Sequence, residues 1–318
     1  MPTRVNVRGL GLASAILAGA IAWPIAPAQA ADLMPIKAAP ATAPVYAVDG
    51  INAKFDAFGG SVANRPVEGV RGAITAPLSG PYGFQIDLGA GSLDDRAFGN
   101  IAGHLFWRDP SRALLGLYVS HTHWDQLGGV HVSQVAGEGE LYFGRITLQG
   151  VAGVEFGNSV ASSTTTTTTI PPGIGVPGVT TTSVFTQGFD VRTRFFDQVN
   201  LKYYVTDDWN AYVGHRYQGG LNALALGTEV AIPVTRGIMA SGFLEARVGE
   251  QDFHGIWGGV RFYFGNDKPL IGRHRSQDPD TYDSLFSLLN NQTQSAGSTS
   301  TTIPALPAGP PLCGGLPC

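Results

Sequence analysis

Between Val45 and Gly265 apolar and polar residues alternate in short runs, broken by Gly, Asp, Asn and Pro. A period of two marks β-strands with two unlike faces. The clearest run places Val199, Leu201, Tyr203 and Val205 on one face and Gln198, Asn200, Lys202 and Tyr204 on the other. Asp207-Asp208 then offers a turn, after which Trp209, Ala211 and Val213 oppose Asn210, Tyr212, Gly214 and Arg216. The last run sets Ile256, Gly258, Val260, Phe262 and Phe264 against Trp257, Gly259, Arg261 and Tyr263. Twelve such segments begin near Ile51, Glu68, Tyr82, Phe98, Arg112, Gly129, Arg145, Phe195, Trp209, Leu221, Ile238 and Phe253. Most run about ten residues, the length of a tilted strand that crosses a bilayer. The second, Glu68 to Ala76, alternates least clearly.

The connections support this count. Counting back from the last strand, every second one is short: Ile232 to Arg236, Asp207-Asp208, Gly144, Asp109 to Ser111, and Pro77 to Pro81. The long connection, 157–194, falls on the other side. Even strand number, short periplasmic turns and longer outer loops characterise single-chain bacterial outer-membrane barrels. A soluble sandwich also alternates, but its polar face is rich in Lys and Glu. Here that face holds many Gly, Ala, Ser and Tyr residues, and aromatics such as Tyr82, Trp107, Phe156, Trp209 and Phe264 fall near strand ends. The expected fold is all-β, a transmembrane antiparallel up-and-down barrel of about twelve strands.

Composition agrees. Of 318 residues, 14% are charged, where a soluble domain carries about a quarter. Mean hydropathy is only +0.06, and no apolar run reaches the ~20 residues of a membrane helix. Residues 1–30 read as a cleaved signal peptide: Arg4 and Arg8, an apolar stretch from Leu10 to Ala22, and Ala28-Gln29-Ala30 as the cleavage site. Removing it leaves 18 basic and 24 acidic residues, which gives no electrostatic case for nucleic acid. Residues 31–47 read as an Ala/Pro-rich linker and 48–265 as the barrel. Thr164 to Thr169 and Pro171-Pro172-Gly173 mark 157–194 as a low-complexity outer loop. Residues 266–318, charged and then rich in Ser, Thr, Pro and Gly, read as a disordered periplasmic tail. Cys313 and Cys318 could close a small loop, but two cysteines make no zinc site.

Three motifs carry a resemblance. Gly255 to Gly265 is similar to the terminal strand of bacterial outer-membrane barrels, which ends in an aromatic, although here 54 residues follow Phe264. The stretch from Ala31 to Lys37 resembles the mature start of rhizobial and related α-proteobacterial outer-membrane proteins. Leu105 to Pro110, with Asp267 to Ile271 and Arg273-His274-Arg275, resembles a porin-like family from those bacteria that has no assigned activity. The resemblance implies location in the outer membrane of a Gram-negative bacterium, with lipid and the barrel assembly machinery as partners. It implies no chemistry.

The polar faces give an inward set. Its basic members are Lys54, Arg71, Arg108, Arg145, Lys202, Arg216, Arg247 and Arg261; its acidic members are Asp56, Asp87, Glu138, Glu140, Glu155, Glu229 and Glu245, with His104 among them. Charges in a narrow lumen must be paired or hydrated. They either plug the barrel or line a water column. Small inward residues, including Gly89, Gly116, Gly153, Gly214, Gly227 and Gly259, favour a narrow, weakly selective pore for small polar solutes or ions. The alternative is a closed barrel with a structural or surface role.

An outer-membrane hydrolase, of phospholipase or protease type, is the weaker alternative. Ser120 and His121 are neighbours on a strand and point to opposite faces. Ser133 shares a face with His131 but has no orienting partner, and Asp94-Asp95 near His123 is ordinary turn chemistry. His121, His123 and His131 could meet a transition metal, but they suit a polar outer rim better. No cofactor, no metal site and no enzyme activity is expected.

Overall fold

A computed structural model describes residues 45–308, together with the backbone of 312–313 and 316–317. The signal peptide, the linker before residue 45 and the pairing of Cys313 with Cys318 lie outside the described residues. Twelve strands close into an antiparallel barrel. They are β1 (Asn52–Val62), β2 (Arg65–Ser79), β3 (Tyr82–Leu93), β4 (Arg96–Asp109), β5 (Ala113–Trp124), β6 (Val130–Phe143), β7 (Ile146–Gly157), β10 (Arg194–Thr206), β11 (Trp209–Gln218), β12 (Leu221–Thr235), β13 (Ile238–Gly249) and β14 (His254–Phe264). Each pairs with its neighbours in sequence, β7 pairs with β10, and β14 closes on β1 with Lys54 opposite Tyr263 and Asp56 opposite Arg261. Every predicted strand is present, and β2 extends past the predicted segment at both ends.

Burial along the strands inverts the soluble pattern. Phe55, Ile74, Leu88, Leu117, Leu201 and Ile232 are exposed on the outer surface. Asn52, Gln85, Thr122, Gln134, Gln149 and Asn200, on the opposite face, are buried. The apolar face therefore points out and the polar face points into the lumen.

The turn rim carries the connections at 80–81, 110–112, 144–145, 207–208 and 236–237. Gly144 (φ 55°) and Gly237 (φ 81°) adopt the left-handed conformation that such tight reversals need. Ala47 and Val48 dock at this rim against Phe106 and Leu114, so the end of the expected linker belongs to the fold.

The other rim holds one long connection, and the expectation of a low-complexity loop there is corrected. Residues 157–194 contain β8 (Ser159–Ile170) and β9 (Gly178–Asp190), a hairpin with Thr opposite Thr. Threonine's branched side chain suits a strand; a run of it hides the strand only because it removes alternation.

The expectation of a disordered tail at 266–318 is also corrected. From the turn rim the chain forms α1 (Leu270–Ser276), crosses the lumen over 277–284 without helix or strand, forms α2 (Leu285–Asn290) inside the hairpin rim, and emerges as β15 (Gln292–Ile303). β15 pairs antiparallel with β9 over its whole length, giving a separate three-stranded sheet in the order β15-β9-β8. Short β16 (Leu312–Cys313) and β17 (Leu316–Pro317) pair with each other. The signal that marks this route is at 282–289, where Tyr282, Leu285, Phe286, Leu288 and Leu289 crowd five large apolar residues into eight positions.

Candidate functional site

Among the described residues the lumen gathers most of the buried charged side chains, and the C-terminal strap, residues 270–291, occupies it. α1 sits in the turn rim. Leu270 packs on Ala231, Met239 and Tyr263, its amide donates to Asp208 Oδ1 at 2.9 Å, and that of Ile271 donates to Asp207 O at 2.9 Å. His274 is held between two tyrosines, with Nδ1 2.8 Å from Tyr204 Oη and Nε2 2.9 Å from Tyr263 Oη.

The segment that crosses the lumen is then fastened at several points. Lys54 Nζ donates to Pro279 O at 2.5 Å, and Lys202 Nζ lies 2.8 Å from Asp280 Oδ2. Gln149 also donates to Asp280. Tyr282 meets His104 at 6.0 Å between ring centres and Tyr118 edge-on at 5.4 Å. Gln198 and Gln218 both donate to Asp283 O, at 3.0 and 2.6 Å. Ser284 Oγ is 2.6 Å from Thr122 Oγ1. At the hairpin rim, Ser287 Oγ donates to Glu155 Oε2 at 2.6 Å, and Phe286 packs on Trp257 at 4.6 Å. Leu285, Leu288 and Leu289 complete an apolar cap with Trp124, Val130 and Phe189.

The expected inward residues sort into networks on this wall. Asp56 accepts from Arg71 at 3.0 Å and from Arg261 at 2.8 Å, and Arg261 reaches Glu229 at 3.3 Å. Glu245 accepts from Arg247 at 2.7 Å and from Tyr212 at 2.6 Å, with Arg216 3.7 Å away. His104 is buried between Glu138 (2.7 Å) and Asp87 (3.1 Å). Glu140 accepts from Tyr142 at 2.6 Å. Arg108 stacks 4.8 Å from Phe106 and reaches Gln277 O at 3.4 Å. Lys54, Glu155 and Lys202 hold the strap directly.

Arg145 departs from the expected set. It follows Gly144 in the turn, one residue before β7, and its half-exposed side chain reaches out to Asp207 at 2.8 Å. Its parity is inward, but it lies past the end of the wall. Without it, the wall holds seven basic and seven acidic members of that set. Sequence reasoning missed the strap's own contribution: Asp278, Asp280 and Asp283, with Arg273, His274 and Arg275 at the turn rim.

The inward glycines do not leave the space expected of them. A methyl group at Gly227 would lie 2.3 Å from the Tyr212 ring, and one at Gly214 would lie 2.2 Å from Asn200 Oδ1. Larger neighbours fold over these positions. Among the described residues a cavity of about 80 Å³ lies between the strap and the wall, lined by Arg71, Asn200, Tyr212, Glu229, Arg261 and Thr281. A water needs roughly 10–15 Å³ of such space, so this is room for a handful of waters.

The histidine trio lies elsewhere. His121 and His123 face outward, and the His121 and His131 ring centres are 5.3 Å apart. His121 Nδ1 is engaged with Ser133 Oγ at 2.9 Å. Among the described residues no three His, Cys, Asp or Glu side chains are placed to hold a metal ion. Asp94 and Asp95 occupy the β3–β4 turn with φ of 55° and 58°, and Asp94 pairs with Arg65 at 2.8 Å.

No family model matches the chain, and no curated protein matches it. Solved membrane barrels do. The chain is similar to one from work on in-meso crystallization of membrane proteins (12% identity, TM-score 0.46, covering 79% of this chain and 100% of that one). It is similar to the β domain of the Bordetella autotransporter BrkA (11% identity, TM-score 0.37, 68% and 98%). It is also similar to the outer membrane protein Omp33 of Acinetobacter baumannii (10% identity, TM-score 0.33, 70% and 99%). At these scores the likeness adds nothing to what the strand order already shows.

Proposed function

We propose that this chain is a bacterial outer-membrane barrel closed by its own C-terminal strap, and that its role is to hold the Ser/Thr-rich sheet at the cell surface. One observation carries this reading: residues 270–291 run through the lumen from rim to rim and bond to strands on every side of it. The apolar outer face supports a lipid surround, because only a closed barrel or a helix satisfies its backbone inside a bilayer. The shorter turns mark the periplasmic rim by the usual asymmetry of such barrels. The strap then carries the chain outward, and β8, β9 and β15 stand outside. The lumen networks bind the strap and wall together, which supports a structural role for them.

A second reading keeps the porin-like passage of small polar solutes or ions. The cavity beside β10–β14 favours it, as the place where strap and wall stand apart with room for water. Single-channel conductance in a planar bilayer separates the two. The full chain, folded as judged by a heat-dependent gel shift, is expected to give no discrete steps. Truncation after Gly265 is expected to give steps. Steps of equal size from both proteins would overturn the closed reading and establish the pore.

A further inference from the structure

The three-stranded sheet has two free edges, β8 and β15, among the described residues. Each is twelve residues long, and neither carries a charged residue or a proline. Almost every residue of both is exposed, on both faces. Edge strands in natural proteins are normally blunted by charge, proline, bulges or a cover, because a bare edge is a template for another strand. None of these devices is present on β8 or β15 among the described residues. A three-stranded sheet without an apolar face or a covering helix is also marginal alone, so an added strand brings real gain.

The molecule already shows what such an edge accepts. β15 comes from the tail and adds itself to β9, in the manner of strand addition. It brings Ser300 Oγ to 3.1 Å from Thr181 Oγ1. On the other side Ser163 meets Thr186 at 2.8 Å and Thr169 meets Thr180 at 3.2 Å. Uncharged hydroxyl-bearing strands thus pair with one another, and β8 offers the same surface once more.

Direction selects the partner. β8 and β15 both run away from the barrel, since each pairs antiparallel with β9. Copies in one membrane therefore offer each other only parallel edges. Copies on opposed membranes offer antiparallel ones, the ladder the sheet already uses and the slightly more stable of the two. Resting on the surface placement proposed above, we infer that the free edge of β8 is a homophilic adhesive surface, to which β8 of a second copy on a facing cell adds antiparallel. Thr164 to Thr169 puts threonine on both faces, so a slip of one residue replaces threonine with threonine. Register is weakly specified in such a strand, and the contact tolerates variable spacing between surfaces.

The test uses the full chain, produced in a Gram-negative host lacking long surface polysaccharide, with producing and non-producing cells dyed differently. Producing cells are expected to cluster with one another and to exclude non-producers. Thr165→Lys with Thr167→Lys should abolish clustering, whereas Gln126→Lys with Gln251→Lys, equal charge placed on the hairpin rim, should preserve it. Labelling of the two new β8 lysines by a membrane-impermeant amine reagent on intact cells reports whether the sheet is outside. Exposed lysines without wild-type clustering would overturn the edge proposal and leave the surface reading standing. Absence of labelling would overturn both. Recruitment of non-producers, or equal dispersal by the rim control, would overturn the second copy as the partner.

Discussion

The barrel and the sheet above it are built from the same element and read in opposite ways. In the barrel one face meets apolar surroundings and the other a polar lumen, so residues such as Val199 and Lys202 must alternate. In the sheet both faces are exposed, and the strand Thr164 to Thr169 alternates nothing. A period of two is therefore a record of two different environments, not of β-structure itself. The strap teaches the complementary lesson: its polar side chains are buried because the wall they meet is polar.

This difference predicts where substitutions matter. The largest effect belongs to Asp280→Ala, which leaves Lys202 buried without its partner. Breaking a buried pair costs about 4 kcal/mol. That lowers the heat-modification midpoint by about 10 °C in a chain of this size. Tyr282→Ala follows, at about 3 kcal/mol, because it removes a buried ring packed against both His104 and Tyr118; the same gel-shift melt reads it. Gly227→Ala costs about 2 kcal/mol by forcing the Tyr212 ring off its position, within the usual range for overpacking. Thr167→Val, on the exposed sheet, changes stability by less than about 0.5 kcal/mol, as surface replacements do. A loss at Thr167 comparable to that at Tyr282 would break the comparison, since it would mean that the sheet is packed against something.

The same contrast explains what the sequence made legible. All twelve barrel strands follow from alternation and turn residues, and the inward set follows from parity, apart from Arg145, where parity continued past the end of β7. The two strands of the threonine hairpin and β15 were illegible because nothing alternates in them. The strap was illegible because a segment surrounded by polar walls needs no apolar period. Only Tyr282 and the leucines of α2 betray it, being too apolar for a solvated tail. The filled lumen was legible only as the alternative, since inward glycines such as Gly227 and Gly214 suggest space that Tyr212 and Asn200 occupy.

The central claim is that the C-terminal segment threads the barrel and reaches the outside. The chain provides its own probe, because both of its cysteines, Cys313 and Cys318, follow β15. After mild reduction, a membrane-impermeant maleimide applied to intact cells should label the full chain as strongly as it does after the outer membrane is permeabilised. Labelling that appears only after permeabilisation would place the tail in the periplasm and contradict the account.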